Sequence, residues 1–199
     1  MTDESEQHPP GIHTPRLFLR RVCQDDAQDV FAIRSKPDVA KYCGFIPEKD
    51  VDESERWLAH NLARPDYYTF AIELQSEERN KRHRDAALPI VVGLVGIIRS
   101  PNVGYILNPG VQGLGYATEA LVAFLGNYWA YSAITDDQHA SRNCLSAEID
   151  ADNRASRKVL EKCGFTLWEL RKHDYYSPML GWTDTEEWRL PRPEQDSSS

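Results

Sequence analysis

The stretch that decides the fold is YILNPGVQGLGYATEAL, residues 105–121. A short apolar strand ends at Asn108-Pro109, a loop with two glycines follows, and an amphipathic helix begins near Tyr116. Apolar residues recur in this helix at i, i+3, i+4, i+7 and i+11, namely at Ala117, Ala120, Leu121, Phe124 and Tyr128. The pattern therefore predicts a strand, a glycine turn and a helix in direct succession.

The glycine loop has the composition of a phosphate-binding site. Glycine lacks a Cβ atom, so the backbone at Gly113 and Gly115 can turn tightly and bring its N–H groups close to a ligand. These groups lie at a helix N-terminus, where unpaired donors and the positive end of the helix dipole favour an anion such as a pyrophosphate. The Thr118 hydroxyl, in the first helical turn, adds another donor. We predict that this loop holds a phosphate group.

Two common phosphate-binding motifs differ from this loop. A P-loop requires Gly-Lys-Ser/Thr, and no lysine follows these glycines. The dinucleotide fingerprint requires G-x-G-x-x-G after a first strand, whereas this loop lies in mid-chain after several candidate strands. An ordinary glycine turn before a core helix is one alternative. An unrelated nucleotide-phosphate binder is another, although no pattern of Mg²⁺ ligands accompanies the loop.

A second predicted helix adds polar residues to the candidate site. Asn153, or the aspartate before it, can cap this helix, and Gly164 can end it in the left-handed conformation. Asn153, Ser156 and Leu160 share one helix face. The face is expected to be largely buried because it also carries Val159 and Cys163. A polar Ser156 there requires a partner, which is either a bound thioester or the carbonyl group one turn back.

Both segments resemble signatures of the GNAT superfamily of acyl-CoA N-acyltransferases. Residues 112–117 resemble its Q/R-x-x-G-x-G/A signature, and residues 153–165 resemble its later N-x-x-S-x-x-x-L-x-K-x-G-F element. The chain looks closest to the branch with the ribosomal-protein alanine N-acetyltransferases, whose G-Y-x-L-x-P motif residues 104–109 resemble. The resemblance covers about residues 14–190.

The resemblance implies an enzyme that moves an acetyl group from acetyl-CoA, without a metal, to a primary amine. The acceptor is a small-molecule amine, an amino acid or a protein N-terminus. The alternative is a catalytically weak domain that binds acyl-CoA as a sensor or scaffold. The cofactor-binding residues that the resemblance implies are Ile106, Leu107, Asn108, Gln112, Gly113, Leu114, Gly115, Tyr116, Ala117, Thr118, Asn153 and Ser156.

Catalysis by such an enzyme requires few groups because an acyl thioester is already activated. Backbone N–H groups near Ile106 and Leu107 are expected to stabilise the oxyanion. The departing thiolate needs a proton or a hydrogen bond. Many GNAT enzymes use a tyrosine seven residues after the motif asparagine, and Leu160 occupies that position here. The resemblance to the ribosomal branch therefore implies Ser156 as the catalytic residue.

A base for the incoming ammonium group is harder to assign. The candidates lie in or near predicted strands: Glu73, Glu148, Asp150, Glu169 and His173. Each can equally be a solvent-facing strand residue or half of a structural ion pair, and a chain of water molecules can replace a base. By resemblance, Tyr42, Phe45 and Trp57 are expected to form the wall of the acceptor site.

The order of elements predicts an α/β fold. The order is strand, two helices, three strands, helix, strand, helix, two strands. By resemblance, residues 13–190 form one GNAT domain. Residues 1–12 and 191–199 are expected to be mobile tails. By resemblance, the sheet is mixed, mostly antiparallel and flanked by helices, and its fourth and fifth strands splay apart. Asp52 is predicted to cap the second helix. The polar and charged segment 76–87 is predicted to be a loop between two strands. Its basic cluster is either solvated or in contact with the cofactor's phosphates, and it consists of Arg79, Lys81, Arg82 and Arg84.

Composition limits the partners and the compartment. The formal net charge is −8, with 31 acidic and 23 basic residues, which argues against nucleic acid as the main partner. The four cysteines form no C-x-x-C pair, so reduced thiols and a cytoplasmic location are expected. The first residues contain no apolar signal-peptide core, and the longest apolar stretch is too short to span a bilayer. We expect a monomer or homodimer that contacts no membrane.

Overall fold

The computed structural model describes residues 11–81, 88–134 and 143–193. Within these ranges, eight strands form one sheet in the order β1-β2-β3-β4-β5-β6-β8-β7, and only β5 and β6 pair in parallel. The strands are β1 Ile12–His13, β2 Leu17–Arg21, β3 Tyr68–Leu74, β4 Val91–Arg99, β5 Asn102–Leu107, β6 Cys144–Asp150, β7 Thr166–Ser177 and β8 Gly181–Pro191. The predicted fold class, a mixed and mostly antiparallel sheet flanked by helices, is confirmed.

Helices cover both faces of the sheet. They are α1 Ala27–Arg34, α2 Pro37–Ala40, α3 Val51–Leu62, α4 Ser76–Lys81, α5 Tyr116–Ile134 and α6 Arg154–Lys162. On one face, Val30 of α1 and Leu58 of α3 pack in a buried cluster with Ala71 and Leu94 of the sheet. The opposite face holds the larger cluster, which includes α5 residues and Leu160 of α6. Each fully buried large side chain contributes about 1.5–3 kcal/mol to folding.

Strands β5 and β6 diverge after a single point of contact. They share one pair, Asn102 with Ser146, whereas β4 and β5 share six pairs and β6 and β8 share seven. The Ser146 amide also donates to the carbonyl oxygen of Pro101 at 3.2 Å. The predicted splay is therefore confirmed. Its two strands are the fifth and sixth in the structure because the two-residue β1 was not predicted.

The N-terminal cap of α3 differs from the sequence prediction. The Asp50 carboxylate accepts from the Glu53 amide at 3.1 Å, and the Glu53 carboxylate accepts from the Lys49 amide at 3.0 Å. The predicted cap at Asp52 was wrong by two residues, since an acid followed by glutamate three positions later occurs in both frames. The helix starts at the earlier frame, and its buried face holds Ser54 and Leu58.

The predicted loop 76–87 begins as a helix. Residues 76–81 form α4, and residues 82–87 lie outside the described residues. Glu78 of α4 accepts a hydrogen bond from the Tyr116 hydroxyl at the start of α5. The Arg79 guanidinium donates to the carbonyl oxygens of Pro89 and Ile90 at 3.1 and 2.7 Å. These contacts attach α4 to the chain before β4 and explain why the segment is ordered there.

The first and last strands lie close to the expected limits of the domain. Strand β1 begins at Ile12 and β8 ends at Pro191, so each predicted tail is shorter by one residue. The rest of those tails, residues 1–10 and 194–199, lies outside the described residues, as does the segment 135–142 that follows α5. All four cysteines are free thiols. Among the described helices, none has the length and apolar composition needed to cross a membrane.

Candidate functional site

The loop between β5 and α5 is held by its own polar side chains. The Asn108 side chain accepts from the Gly110 amide at 3.0 Å and caps a short 3₁₀ turn. The Gln112 side-chain amide donates to the Leu107 carbonyl oxygen at 3.0 Å. The backbone then turns through Gly113 and Gly115 with φ values of +76° and +86°, a region that favours glycine. The loop is therefore shaped before any ligand arrives.

The start of α5 presents a row of backbone donors. The first hydrogen bond of the helix runs from the Glu119 amide to the Gly115 carbonyl oxygen at 3.1 Å. Within the described ranges, no protein group accepts from the amides of Gly113, Leu114, Gly115, Ala117 and Thr118. Most of this loop is exposed, and its donors suit a phosphate group at a helix N-terminus.

Arg16 lies beside this loop, and the sequence did not indicate it. Its guanidinium donates to the Leu114 carbonyl oxygen at 3.0 Å and forms an ion pair with Glu119 at 2.6 Å. The guanidinium also lies 4.6 Å from the ring centroid of Tyr116. A Cβ atom on Gly115 would come within 3.4 Å of Arg16. Because Arg16 is far from the loop in sequence, no spacing rule could identify it.

The gap between β5 and β6 is lined by backbone groups without strand partners. The Asn108 amide donates to the Val92 carbonyl oxygen at 2.8 Å. Hydrogen-bonding direction alternates along an antiparallel pair, so the amide of Ile106 also faces β4. The amides of Leu107 and Tyr105 then face β6. Of the two predicted oxyanion donors, only Leu107 presents its N–H group to the gap.

The opposite wall of the gap follows the same rule. The Ala151 amide donates to the Asp184 carbonyl oxygen at 3.0 Å, which continues the β6–β8 pairing. By alternation, the backbone groups of Glu148 and Asp150 face away from β8 and toward β5. Both sides of the gap therefore offer N–H and C=O groups to an extended ligand, as an added strand would require.

A cavity of about 660 Å³ extends through this gap. One end is formed by Tyr105 of β5 together with Asn153 and Ser156 of α6. The other end lies on the α1–α3 face of the sheet, where Gly96 and Gly104 form part of the wall. A Cβ atom on Gly104 would meet the Ile98 side chain at 2.1 Å. Glycine at position 104 therefore makes room for the Ile98 side chain, which also lines the cavity.

The α6 end brings together the residues that the second motif indicated. Asn153 caps α6 by accepting from the Ser156 amide at 3.1 Å, and Gly164 ends the helix region with φ +86°. Leu160 is fully buried, whereas Val159 and Cys163 are half-buried, so the face is less buried than predicted. The physical reason is that the cavity runs along the N-terminal half of this face.

The Ser156 hydroxyl forms no hydrogen bond with any described protein group, so the back-bonding alternative does not apply. The neighbouring Tyr105 hydroxyl donates to the Ser156 carbonyl oxygen at 3.1 Å. Burial raises the pKa of Tyr105 to about 12, although its hydrogen bond to Ser156 opposes this effect. Tyr105 is therefore a protonated hydroxyl beside Ser156, which the sequence interpretation treated as a core residue.

The structure separates the candidate bases. Glu148 and Asp150 line the cavity, and Glu148 forms an ion pair with Arg171 at 2.6 Å. Glu73 lies elsewhere, paired with Arg20 at 2.7 Å. The remaining two candidates, Glu169 and His173, are exposed on β7 and do not line the cavity. Only the two β6 carboxylates are placed where an incoming amine can meet them.

The predicted aromatic wall lies at the α1–α3 end of the cavity. Tyr42, Phe45 and Trp57 all line it. The sequence interpretation missed the buried Arg34, whose guanidinium lies 4.0 Å from the ring centroid of Phe45 and 4.2 Å from that of Trp57. It also missed Tyr67, which lines the same wall. Their chain positions, in a helix and before a strand, give no motif that would indicate a site.

Comparisons with known proteins agree with this geometry. Residues 16–166 match the family model described as "Acetyltransferase (GNAT) domain". The chain is 26% identical over 166 residues to the "Uncharacterized N-acetyltransferase YoaA" of Bacillus subtilis (strain 168). This alignment covers 78% of this chain and 82% of that protein.

Solved structures share the fold. The ribosomal-protein-S5-alanine acetyltransferase of Vibrio fischeri superposes with a TM-score of 0.67 at 18% identity, over 94% of this chain and 98% of that one. RimL, a ribosomal L7/L12 alpha-N-protein acetyltransferase solved in complex with coenzyme A, gives a TM-score of 0.68 at 17% identity, over 92% and 98%.

Proposed function

Because the chain belongs to the GNAT acetyltransferase family, we propose that it transfers an acetyl group from acetyl-CoA to a primary amine. The observation that carries this proposal is the gap between β5 and β6, which opens directly beside the donor row at the start of α5. An extended thioester arm and a pyrophosphate need these two features side by side.

The residues fit acetyl-CoA in two places. The amides of Gly113, Leu114, Gly115, Ala117 and Thr118 bind the pyrophosphate, with Arg16 as an adjacent cation. The N–H and C=O groups of Tyr105 and Glu148 and the Asp150 amide have no strand partner, and they pair with the amide groups of the pantetheine arm. This route directs the thioester toward the cavity between Tyr105 and Ser156.

The thioester supplies an activated acyl group, and the protein supplies position and hydrogen bonds. The amine nitrogen forms a bond to the carbonyl carbon, the carbon–sulfur bond breaks, the amine loses a proton, and the thiolate gains one. The Leu107 amide faces the gap and donates to the thioester oxygen as negative charge develops there. Glu148 and Asp150 accept the proton of the incoming ammonium group directly or through water.

We assign the hydrogen bond to the departing thiolate to Ser156, and the proton that its hydroxyl passes to sulfur is replaced from water in the cavity. Its hydroxyl has no described protein partner and lines the cavity at the end where α6 begins. The usual tyrosine position is Leu160, which is fully buried in the core and carries no acidic proton. Tyr105 is the second hydroxyl at this point, and its raised pKa keeps it protonated.

Thiol release from acetyl-CoA tests the proposal. The protein is incubated with acetyl-CoA and a panel of small amines, amino acids and peptides with free N-termini, and the acetylated product is identified by mass spectrometry. We expect amine-dependent release with at least one acceptor class. Tight acetyl-CoA binding without release for any acceptor would instead favour the sensor or scaffold alternative.

A further inference from the structure

We propose that Arg34 and Tyr67 form a carboxylate-binding subsite, so that the acceptor is an amine of the amino acid class, and this inference rests on the proposed function. Both residues line the α1–α3 end of the cavity. Arg34 is 7% exposed and Tyr67 is 4% exposed. Polar side chains buried this deeply are usually hydrogen-bonded, so donors without a partner at this end of the cavity require an explanation.

Arg34 has donors left over. Its Nε atom donates to Glu48, whose other oxygen accepts from the Ser54 hydroxyl. No described residue accepts from the two terminal nitrogens of Arg34. Neither nitrogen is among the fully buried atoms without partners, so both keep some accessible surface, and Arg34 lines the cavity. A guanidinium offers these two nitrogens as a planar fork that matches a carboxylate.

The fork is fixed in orientation. The guanidinium lies between the rings of Phe45 and Trp57, at 4.0 and 4.2 Å from their centroids. Its ion pair with the buried Glu48 holds the other edge. A flexible surface arginine loses side-chain entropy when it binds an anion, whereas this one is already ordered. Geometry of this kind favours a specific ligand group over a solvated ion.

Tyr67 supplies a second, independent observation. Its hydroxyl is buried and meets the geometry of a hydrogen bond with no described residue, although the neighbouring Thr69 side chain lies near enough to lower the Tyr67 pKa and so to oppose the effect of burial. Burial raises the pKa of Tyr67, so the hydroxyl is a neutral donor. Leaving a buried hydroxyl unsatisfied costs about 1–3 kcal/mol. A carboxylate bound to the Arg34 fork would also accept from the Tyr67 hydroxyl once a small movement of that side chain exposes it to the cavity.

The charges along the cavity indicate which ligand fits. The Asp150 carboxylate lies where the cavity meets β6 and accepts from the Asp152 amide at 2.8 Å. It forms no ion pair with any described cation, although Lys41, which lines the same cavity, interacts with it electrostatically. Arg34 supplies a positive charge on the other side of the same cavity. A molecule with an ammonium group and a carboxylate complements both. A simple amine would leave the Arg34 fork and the Tyr67 hydroxyl empty.

Matched acceptors test this subsite. For each of several side chains, the free amino acid, its primary amide and the corresponding decarboxylated amine are compared by acetyl-CoA-dependent thiol release. Glycine, β-alanine and 4-aminobutyrate define the spacing between the amine and the carboxylate. We expect kcat/KM for the free acid to exceed that for the amide by roughly a hundredfold, as for a charged pair in a buried site. Equal values for acid and amide would overturn the proposal.

Two variants test whether Tyr67 and Arg34 cause the preference for the free acid over the amide. Tyr67→Phe removes one hydroxyl that has no partner, so it should fold normally and raise KM for the acid roughly tenfold with little change in kcat. Arg34→Lys keeps the charge and loses the fork, and it should remove most of the discrimination between acid and amide. Tyr68→Phe is the matched control, since the Tyr68 hydroxyl bonds Asn127 outside the cavity. An unchanged acid-to-amide ratio in Tyr67→Phe and Arg34→Lys would contradict the subsite.

A binding measurement separates this inference from the proposed function. Calorimetric titration of CoA-saturated protein with N-acetyl amino acids and with their amides needs no turnover. Preference for the acids that Tyr67→Phe weakens would support the subsite even if no acceptor were acetylated. Turnover without any such preference would leave acetyl transfer intact and remove the subsite.

Discussion

At the scale of single residues, the Ser156 hydroxyl lines the cavity without a protein partner, and a role in thiolate departure would be expressed chiefly in the transition state. We therefore predict that Ser156→Ala lowers kcat by roughly ten- to a thousandfold with little change in acetyl-CoA affinity. Steady-state kinetics measures the loss of kcat, and equilibrium binding measures the affinity for acetyl-CoA. Because the Ser156 amide, and not its hydroxyl, bonds the Asn153 cap, alanine leaves the start of α6 intact.

Tyr105→Phe is the matched comparison for Ser156→Ala. It removes the other protonated hydroxyl at this end of the cavity and a 3.1 Å hydrogen bond to the Ser156 carbonyl oxygen. Normal turnover by Ser156→Ala together with a large loss in Tyr105→Phe would move the proton donor to Tyr105. Normal turnover by both variants would make water the donor.

A second residue-scale prediction concerns Gly115 in the donor row. Gly115→Asp places a negative charge where the phosphates approach, and acetyl-CoA affinity should fall well over tenfold, which is about 1.4 kcal/mol or more. Gly115→Asn has nearly the same shape and tolerates the positive φ equally well, but it carries no charge. Titration calorimetry should therefore show a much smaller loss for asparagine than for aspartate.

Gly181 provides the control for backbone strain. It has φ +78°, and a Cβ atom there meets nothing within 4 Å. Gly181→Asp thus combines a similar strain with a similar charge at a site remote from the loop, and acetyl-CoA affinity should be unchanged. Equal losses for the aspartate variants at 115 and 181 would argue against a phosphate site at the start of α5.

At the scale of elements, two basic residues of α4 show whether this helix stabilises the fold or binds the ligand. The Arg79 side chain donates to backbone carbonyl groups before β4, whereas Lys81 on the same helix is exposed and, among the described residues, pairs only with Glu78. We predict that Arg79→Ala lowers the free energy of unfolding by about 1–2 kcal/mol, whereas Lys81→Ala has an effect near zero. Urea denaturation measures both. A large loss of acetyl-CoA affinity in folded Arg79→Ala would make Arg79 a phosphate ligand instead.

Local patterns predicted most elements of this fold. The period of α5, the asparagine and glycine at the two ends of α6, and the order of the long strands all follow from neighbouring residues. The α3 cap was placed at Asp52 and not Asp50 because the capping pattern repeats two residues apart, and tertiary burial of Ser54 and Leu58 decides between them. Helix α4 was missed because its contacts come from Tyr116 and from the backbone at 88–90, which are distant in sequence.

The same difference between local patterns and contacts distant in sequence applies to the site. Gly113, Gly115, Asn153 and Ser156 belong to contiguous motifs, so the sequence could indicate them together. Arg34, Tyr67 and Arg171 meet in the cavity only because separate helices and strands fold against one another. A single sequence contains no distance between such residues, and the acceptor end of the cavity was therefore described only by its aromatic wall.

At the scale of the whole molecule, Glu119 joins the N-terminal strands to α5. Its carboxylate accepts from the Thr14 hydroxyl at 2.6 Å and from the Arg16 amide at 3.0 Å, besides its ion pair with Arg16. Burial raises the pKa of Glu119, but the hydrogen bonds from Thr14 and Arg16 outweigh burial and lower this pKa below its usual value of 4.5. The folded state therefore favours the ionised carboxylate.

The sign of the pH dependence follows from that lowered pKa. The stabilisation is complete above the pKa of Glu119 in the unfolded chain and is lost as pH falls through the lower pKa of the folded protein. Glu119→Gln should reduce the free energy of unfolding by about 2 kcal/mol at pH 7, and this difference from wild type should shrink below about pH 4.5. Denaturation between pH 7 and 3 measures it. Glu161→Gln, at an exposed α6 position, is the control, and a pH-independent difference for Glu119→Gln would contradict the assignment.

The single pair between Asn102 and Ser146 also has a consequence for how the molecule opens. Strands β1–β5 and β6–β8 are two separately hydrogen-bonded units, coupled across the gap by side-chain packing and by the helices that connect them. Amide protons that face the gap, such as those of Leu107 and Asp150, should exchange with solvent deuterium without unfolding of either unit. A ligand that pairs with both edges would slow this exchange and merge the two units into one cooperative transition, so substrate occupancy would set the folding cooperativity of the sheet.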